Sequence, residues 1–207
     1  VARILVENNR AIGVRTVQGE TILAGSVLAS VTPRQLYDRL LDDPEIKERR
    51  HVDAFRHGRG NFQLHYALDR PPQWLTAGLD DVALIHLADG IDSVSKSANE
   101  AERGMLPQTP TICVGQPHRL DATRCPEGKA ILWLQIPDAP RVIKGDAAGQ
   151  IETTGAWTEE TRELYADRIE AILRYHVQDF DAIKLARRAY SPTDLAALNI
   201  NLGGGDP

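Results

Sequence analysis

The sequence predicts an α+β fold: a small antiparallel β meander followed by a mostly antiparallel sheet with covering helices. Three observations lead there. Short strand signals separated by turn residues crowd residues 2–31. In NFQLHYAL, 61–68, apolar and polar residues alternate with period two, the mark of a half-buried strand. TEETRELYADRIEAILRYHVQ, 158–178, carries an apolar stripe at helical spacing. Strands gathered in runs with helices set apart from them indicate α+β.

ARILV, 2–6, is the first predicted strand, and Asn8-Asn9 supplies a turn because Asn tolerates left-handed backbone. AIGVRTV, 11–17, and ETILA, 20–24, follow, joined across Gln18-Gly19. VLASV, 27–31, reads as a short buried strand. Thr32 then caps a helix whose first residue is Pro33 and whose apolar face is Leu36, Leu40 and Leu41. Residues 44–58 are charged and predicted helical, and a domain boundary is expected between residues 42 and 60. After strand 61–68, Pro71-Pro72 breaks the chain. VALIHLA, 82–88, TICVGQP, 111–117, and KAILWLQIP, 129–137, are further strands, expected to share one sheet with 61–68. Residues 91–104 read as a polar helix closed by Gly104. The long helix is capped by Thr158 and buries Tyr165, Ile169, Ile172, Leu173 and Val177 over the sheet. IKLARRAY, 183–190, is a strand or a helix extension, with strand preferred, and SPTDLAAL, 191–198, is a short capped helix.

Composition is that of a globular chain, 42% hydrophobic and 26% charged. A net charge of -5 argues against a nucleic-acid partner. No apolar run is long enough to span a bilayer, and a cytoplasmic location is expected. Cys113 and Cys125 read as reduced thiols, with a single disulfide as the alternative. The chain starts at Val1, its one Met is Met105, and it ends in GGGDP, so an internal piece of a longer protein is expected.

Local chemistry is sparse. There is no GxGxxG, P-loop, HExxH or GxSxG pattern. His65, His86, His118 and His176 lack metal-ligand spacing, so no metal is predicted and each reads as a structural or surface histidine. Arg56 and Arg59 in RHGRG read as a solvated basic turn, and Ser93, Ser95 and Ser97 as the polar face of a helix. No residue is assigned as catalytic.

As a unit, the opening stretch VARILVENNRAIGVRTVQGETILAGSVLASVTP resembles the meander and return strand of FAD-dependent oxidoreductases of the phytoene desaturase-like kind, which are related to the flavin amine oxidases. The resemblance rests on Val-x-x-Ile at the start, Gly-Val after the first turn, a glycine in the second turn and Ala-x-x-Val-Leu-Ala before Pro33. SPTDLAALNINLGGGDP, 191–207, resembles the stretch before that family's second flavin-contacting segment, and GNFQLHYALDRPPQW with the strands after it resembles its inserted substrate domain. The family's two glycine-rich flavin segments are absent from these residues.

The resemblance implies that residues 1–42 belong to an FAD-binding domain, 43–190 to a substrate-binding domain and 191–207 to a return toward the first. It implies FAD as cofactor of the complete protein, not held tightly by this chain alone, with hydride transfer to the flavin. Val1, Ser30, Val31 and Thr32 would approach the cofactor. An apolar small molecule is the implied substrate, with Phe62, Leu64, Tyr66 and Trp133 as candidates for its tunnel wall. A peripheral membrane contact of the complete protein, and self-association of the isolated chain through open strand edges, are further expectations. The alternative is a self-standing, non-catalytic α+β binding or interaction module.

Overall fold

Asn8 and Asn9 take positive φ, 49° and 61°, and so close the first hairpin of a meander. In the computed structural model, which describes residues 1–41 and 47–205, the meander comprises β1 (Arg3–Glu7), β2 (Arg10–Arg15) and β3 (Thr21–Leu23) in that order, antiparallel throughout. Gly13, at φ 156°, must be glycine, because a Cβ there would lie 2.2 Å from the Ile22 carbonyl oxygen. The strand expected at 27–31 does not form. Those residues pair with no strand among the described residues, and Leu28 is 95% exposed. An apolar run becomes a buried strand only where a ladder receives it.

The next helix begins as the sequence predicts. Thr32 Oγ1 accepts from the Gln35 N–H at 3.3 Å. It then winds wide, as a π-helix over Gln35–Leu40, with Leu41 N donating to Leu36 O at 2.9 Å. The predicted helix at 44–58 is α1 (Arg49–Ala54), its first three positions lying outside the described residues. The chain divides into two compact units, Val1–His57 and Gly58–Pro207.

The second unit is built on a five-stranded sheet in the order β10-β4-β8-β7-β5, every neighbour antiparallel. Its strands are β4 (Gly60–Leu68), β5 (Leu84–Leu87), β7 (Ile112–Gly115), β8 (Ala130–Ala139) and β10 (Lys184–Tyr190). The four strands expected to share a sheet do so, and 183–190 resolves as its fifth member. A short parallel pair, β6 (Met105–Leu106) with β9 (Gly145–Asp146), has no periodicity by which a sequence could announce it.

Helices α2 (Ile91–Glu102), α3 (Glu159–Arg174), α4 (Phe180–Ile183) and α5 (Pro192–Leu198) complete the unit. Thr158 caps α3 by accepting from Thr161 N at 3.1 Å. Tyr165, Ala166, Ile169 and Leu173 of α3 share one core with Phe62, Leu64, Tyr66, Leu132, Leu134 and Ile136 of the sheet. Each large apolar side chain buried there contributes about 1.5–3 kcal/mol. The helix ends at Arg174, before the predicted 178, and Val177 instead forms a β-bridge with Trp74. Ser191 and Asp194 form a capping box at α5.

Candidate functional site: an apolar groove on the open sheet face

Alternation in β4 and β8 gives the sheet two different faces. Phe62, Leu64 and Tyr66 point under α3 and are at most 2% exposed. Phe62 meets the Tyr165 ring edge-on at 5.2 Å, and Tyr66 Oη donates to Glu170 at 3.3 Å. Burial, then the adjoining Glu170 carboxylate, pushes the Tyr66 hydroxyl pKa well up, so it stays protonated. Trp133 pairs across the ladder with His65, an odd position of β4, and so lies on the other face. The structure therefore separates Trp133 from Phe62, Leu64 and Tyr66, which were expected to line one wall together. The even residues of β4 are core.

The other face holds a groove of about 960 Å³. Its floor follows the register. One cross-strand row runs Arg188, His65, Trp133, Gly115, Leu84 across all five strands, and a second runs Ala186, Ala67, Ile131. At about 4.8 Å per strand, the five-residue row spans about 19 Å. Pro117, Leu120 and Arg124 lie along the groove's flank. The next row, Tyr190, Gln63, Gln135, Cys113, His86, is mostly polar. The open face thus changes from apolar to polar along the strands.

Two polar residues hold the flank in place. Gln116 is fully buried; it accepts from Trp74 Nε1 at 3.2 Å and donates to Leu79 O and Val82 O at 3.2 and 2.6 Å. That clamps the approach to β5 onto the end of β7. His118 Nδ1–H donates to Ile131 O at 3.0 Å and ties the flanking segment to β8. Burial lowers the His118 pKa, against the pull of the Ile131 carbonyl and with help from the Arg119 charge. Burial likewise lowers that of His65. Both rings are neutral near pH 7.

Ion pairs fasten the helical side. Glu170, 2% exposed in its side chain, contacts Arg174, Lys184 and Arg187. Arg168 makes two bonds to Asp146, at 2.6 and 2.7 Å, and Asp146 also accepts from Gln150 N and Ile151 N. Burial alone would raise the Asp146 pKa; the Arg168 and backbone bonds bring it below the usual range.

The remaining predicted residues lie in the first unit. Val1 is 67% exposed, Ser30 is exposed, and Val31 and Thr32 are half-buried. A flavin pyrophosphate needs free backbone N–H groups at a helix start. Here Pro33 has none, and Gln35 N is already bonded to Thr32. That helix start is therefore poorly furnished as a pyrophosphate cradle, a role distinct from the peripheral approach expected of Val1, Ser30, Val31 and Thr32. Among the described residues no three His, Cys, Asp or Glu side chains converge as a metal site, and no helix is long and apolar enough to cross a membrane.

Sequence reasoning named Trp133 but missed Arg188, Gly115, Leu84 and Ile131. Pairing register brings them together, and register becomes legible only once strand order is known. No family model matches the chain. It is similar, at 29% identity over 140 residues, to the zeta-carotene-forming phytoene desaturase of Myxococcus xanthus, an alignment that covers 66% of this chain and 25% of that protein.

Proposed function

We propose that this chain supplies the substrate-binding wall of a phytoene desaturase-like, FAD-dependent oxidoreductase, and that the groove holds an elongated apolar substrate. One observation carries the reading: a 960 Å³ groove floored by Trp133, Ile131, Ala67 and Leu84 on the uncovered face of the sheet. Its volume lies at the upper end of the roughly 300–1,000 Å³ range of small-molecule sites. The similarity to a carotenoid-forming desaturase supports an elongated, apolar ligand.

Desaturation removes two hydrogens from adjacent carbons, and a bound flavin would supply the redox chemistry for it. Val1 and Ser30–Thr32 would give a flavin peripheral contacts at most. In this reading, Gly58–Pro207 is the substrate domain and Val1–His57 the cofactor-side domain. The groove binds and orients the chain by apolar contact and excludes water from it. No residue lining it is assigned a proton-transfer role.

The test is titration of the 207-residue chain with phytoene in detergent, following tryptophan emission. Saturable quenching that disappears in Trp133→Phe and persists in Trp157→Phe is expected. Quenching that does not saturate, or that survives Trp133→Phe unchanged, would refute the groove assignment.

A further inference from the structure

The five-residue row on the groove floor is chemically graded. It begins at the β10 edge with Arg188, passes His65 and Trp133, and ends at Leu84 on β5. The cations around the groove differ in whether they are already neutralised. Arg187 points to the helical side and contacts Glu163, Asp167 and Glu170. Arg124 lies 3.4 Å from Asp121, and Arg119 lies 3.8 Å from Asp81. Arg188 makes no ion pair among the described residues. Among the described residues no carboxylate lines the groove. The Arg188 guanidinium sits over the Tyr190 ring at 5.2 Å, and the same ring takes the edge of His65 at 5.6 Å. Stacking of this kind fixes the plane of the guanidinium while leaving its N–H donors free.

We infer that the groove is built for an apolar chain that ends in a carboxylate, with the acid end at Arg188 and the hydrocarbon running over Trp133 toward Leu84. A neutral hydrocarbon would gain nothing from an unpaired guanidinium at the end of its site. A carboxylate would gain charge-assisted hydrogen bonds there. His65, next to Arg188 in the same row, can donate to or accept from the acid through its ring nitrogens. Arg124, half-neutralised by Asp121 on the flank, strengthens the field without marking its origin.

The inference rests on the groove being a ligand site, and the test separates the two. Parinaric acid, a fluorescent polyene carboxylate, and its methyl ester are titrated into the 207-residue chain at low salt and neutral pH. The acid is expected to bind about tenfold more tightly than the ester, a difference of about 1.4 kcal/mol. Arg188→Gln should abolish that preference while leaving ester affinity within about twofold, since Arg188 is exposed on an edge strand and its loss opens no core. The preference should also shrink as salt is raised.

Equal affinity for acid and ester would overturn the inference and leave the groove reading standing. So would an acid preference that survives in Arg188→Gln. If Arg188→Gln instead drives self-association with the preference intact, the residue guards the sheet edge. Binding of neither probe would overturn the inference and the groove assignment together. Arg188→Lys discriminates further: it keeps the charge but loses the stacked fork, and should retain only part of the preference.

Discussion

Gly115 shows how one missing side chain shapes the groove. A Cβ at this position would lie 2.9 Å from Trp133 Cε3, so the indole occupies the space that glycine leaves. Gly115→Val should push Trp133 out over the floor, at a cost of about 1–3 kcal/mol for overpacking. Weakened phytoene quenching together with a lowered melting temperature is the expected result; unchanged quenching would show that the indole moves freely. His118 gives a pH signature. Its folded pKa lies below the unfolded value of about 6.5, so the unfolded chain takes up the proton first on acidification. Its contribution to stability is whole above about pH 6.5 and is lost as pH falls from there toward the lower, folded pKa. His118→Gln should flatten the dependence of melting temperature on pH across that window. An unchanged slope would mean that other groups dominate it.

Among the elements, those with a strong period or a side-chain cap were legible in the sequence, and those held by distant partners were not. β4 could be read from NFQLHYAL, and α3 from its stripe and from Thr158. The caps at Thr32 and Ser191 announced themselves because capping is local chemistry. VLASV, 27–31, is apolar yet unburied because no ladder among the described residues receives it. The candidate wall shows the converse. Phe62, Leu64 and Tyr66 were the most apolar residues of their strand, and that is why they went into the core. The Arg168–Asp146 pair was invisible for another reason: it joins α3 to β9, and β9 is two residues long. It is the tie that holds the β9 turn to the helix. Arg168→Leu should leave Asp146 buried without its partner and cost about 3–5 kcal/mol by urea denaturation. A smaller loss would mean that the Gln150 and Ile151 N–H groups suffice for the carboxylate.

For the whole molecule, strand edges set the expected assembly. The five-stranded sheet is guarded at both ends, by Lys184 and Arg187 along β10 and by the shortness of β5. The meander is less protected. Among the described residues β3 has one partner strand, and its Ile22 and Leu23 are 47% and 72% exposed. A concentration-dependent dimer is therefore expected in sedimentation experiments on the chain alone, reduced by Ile22→Lys; a monomer at all concentrations would contradict it. The same preparation should be colourless after gel filtration. Peripheral contacts cannot offset the roughly 4 kcal/mol or more of freedom that a ligand loses on binding. A yellow protein would show that the first unit grips flavin after all.

β4 is hydrogen-bonded on both flanks; its even positions from 62 to 68 face the core, and its odd positions 65 and 67 face the groove. Deleting a single residue within it would exchange the two sets, sending Phe62, Leu64 and Tyr66 to the open side and His65 inward. Away from the register shift between Gly60 and Phe62, such a strand keeps its faces only if it changes length two residues at a time. Lineages that retune the ligand must then do so by point substitution at odd positions, where stability is least at stake. A saturation mutagenesis map of residues 62–68 should accordingly show tolerance rising and falling with every step along the chain.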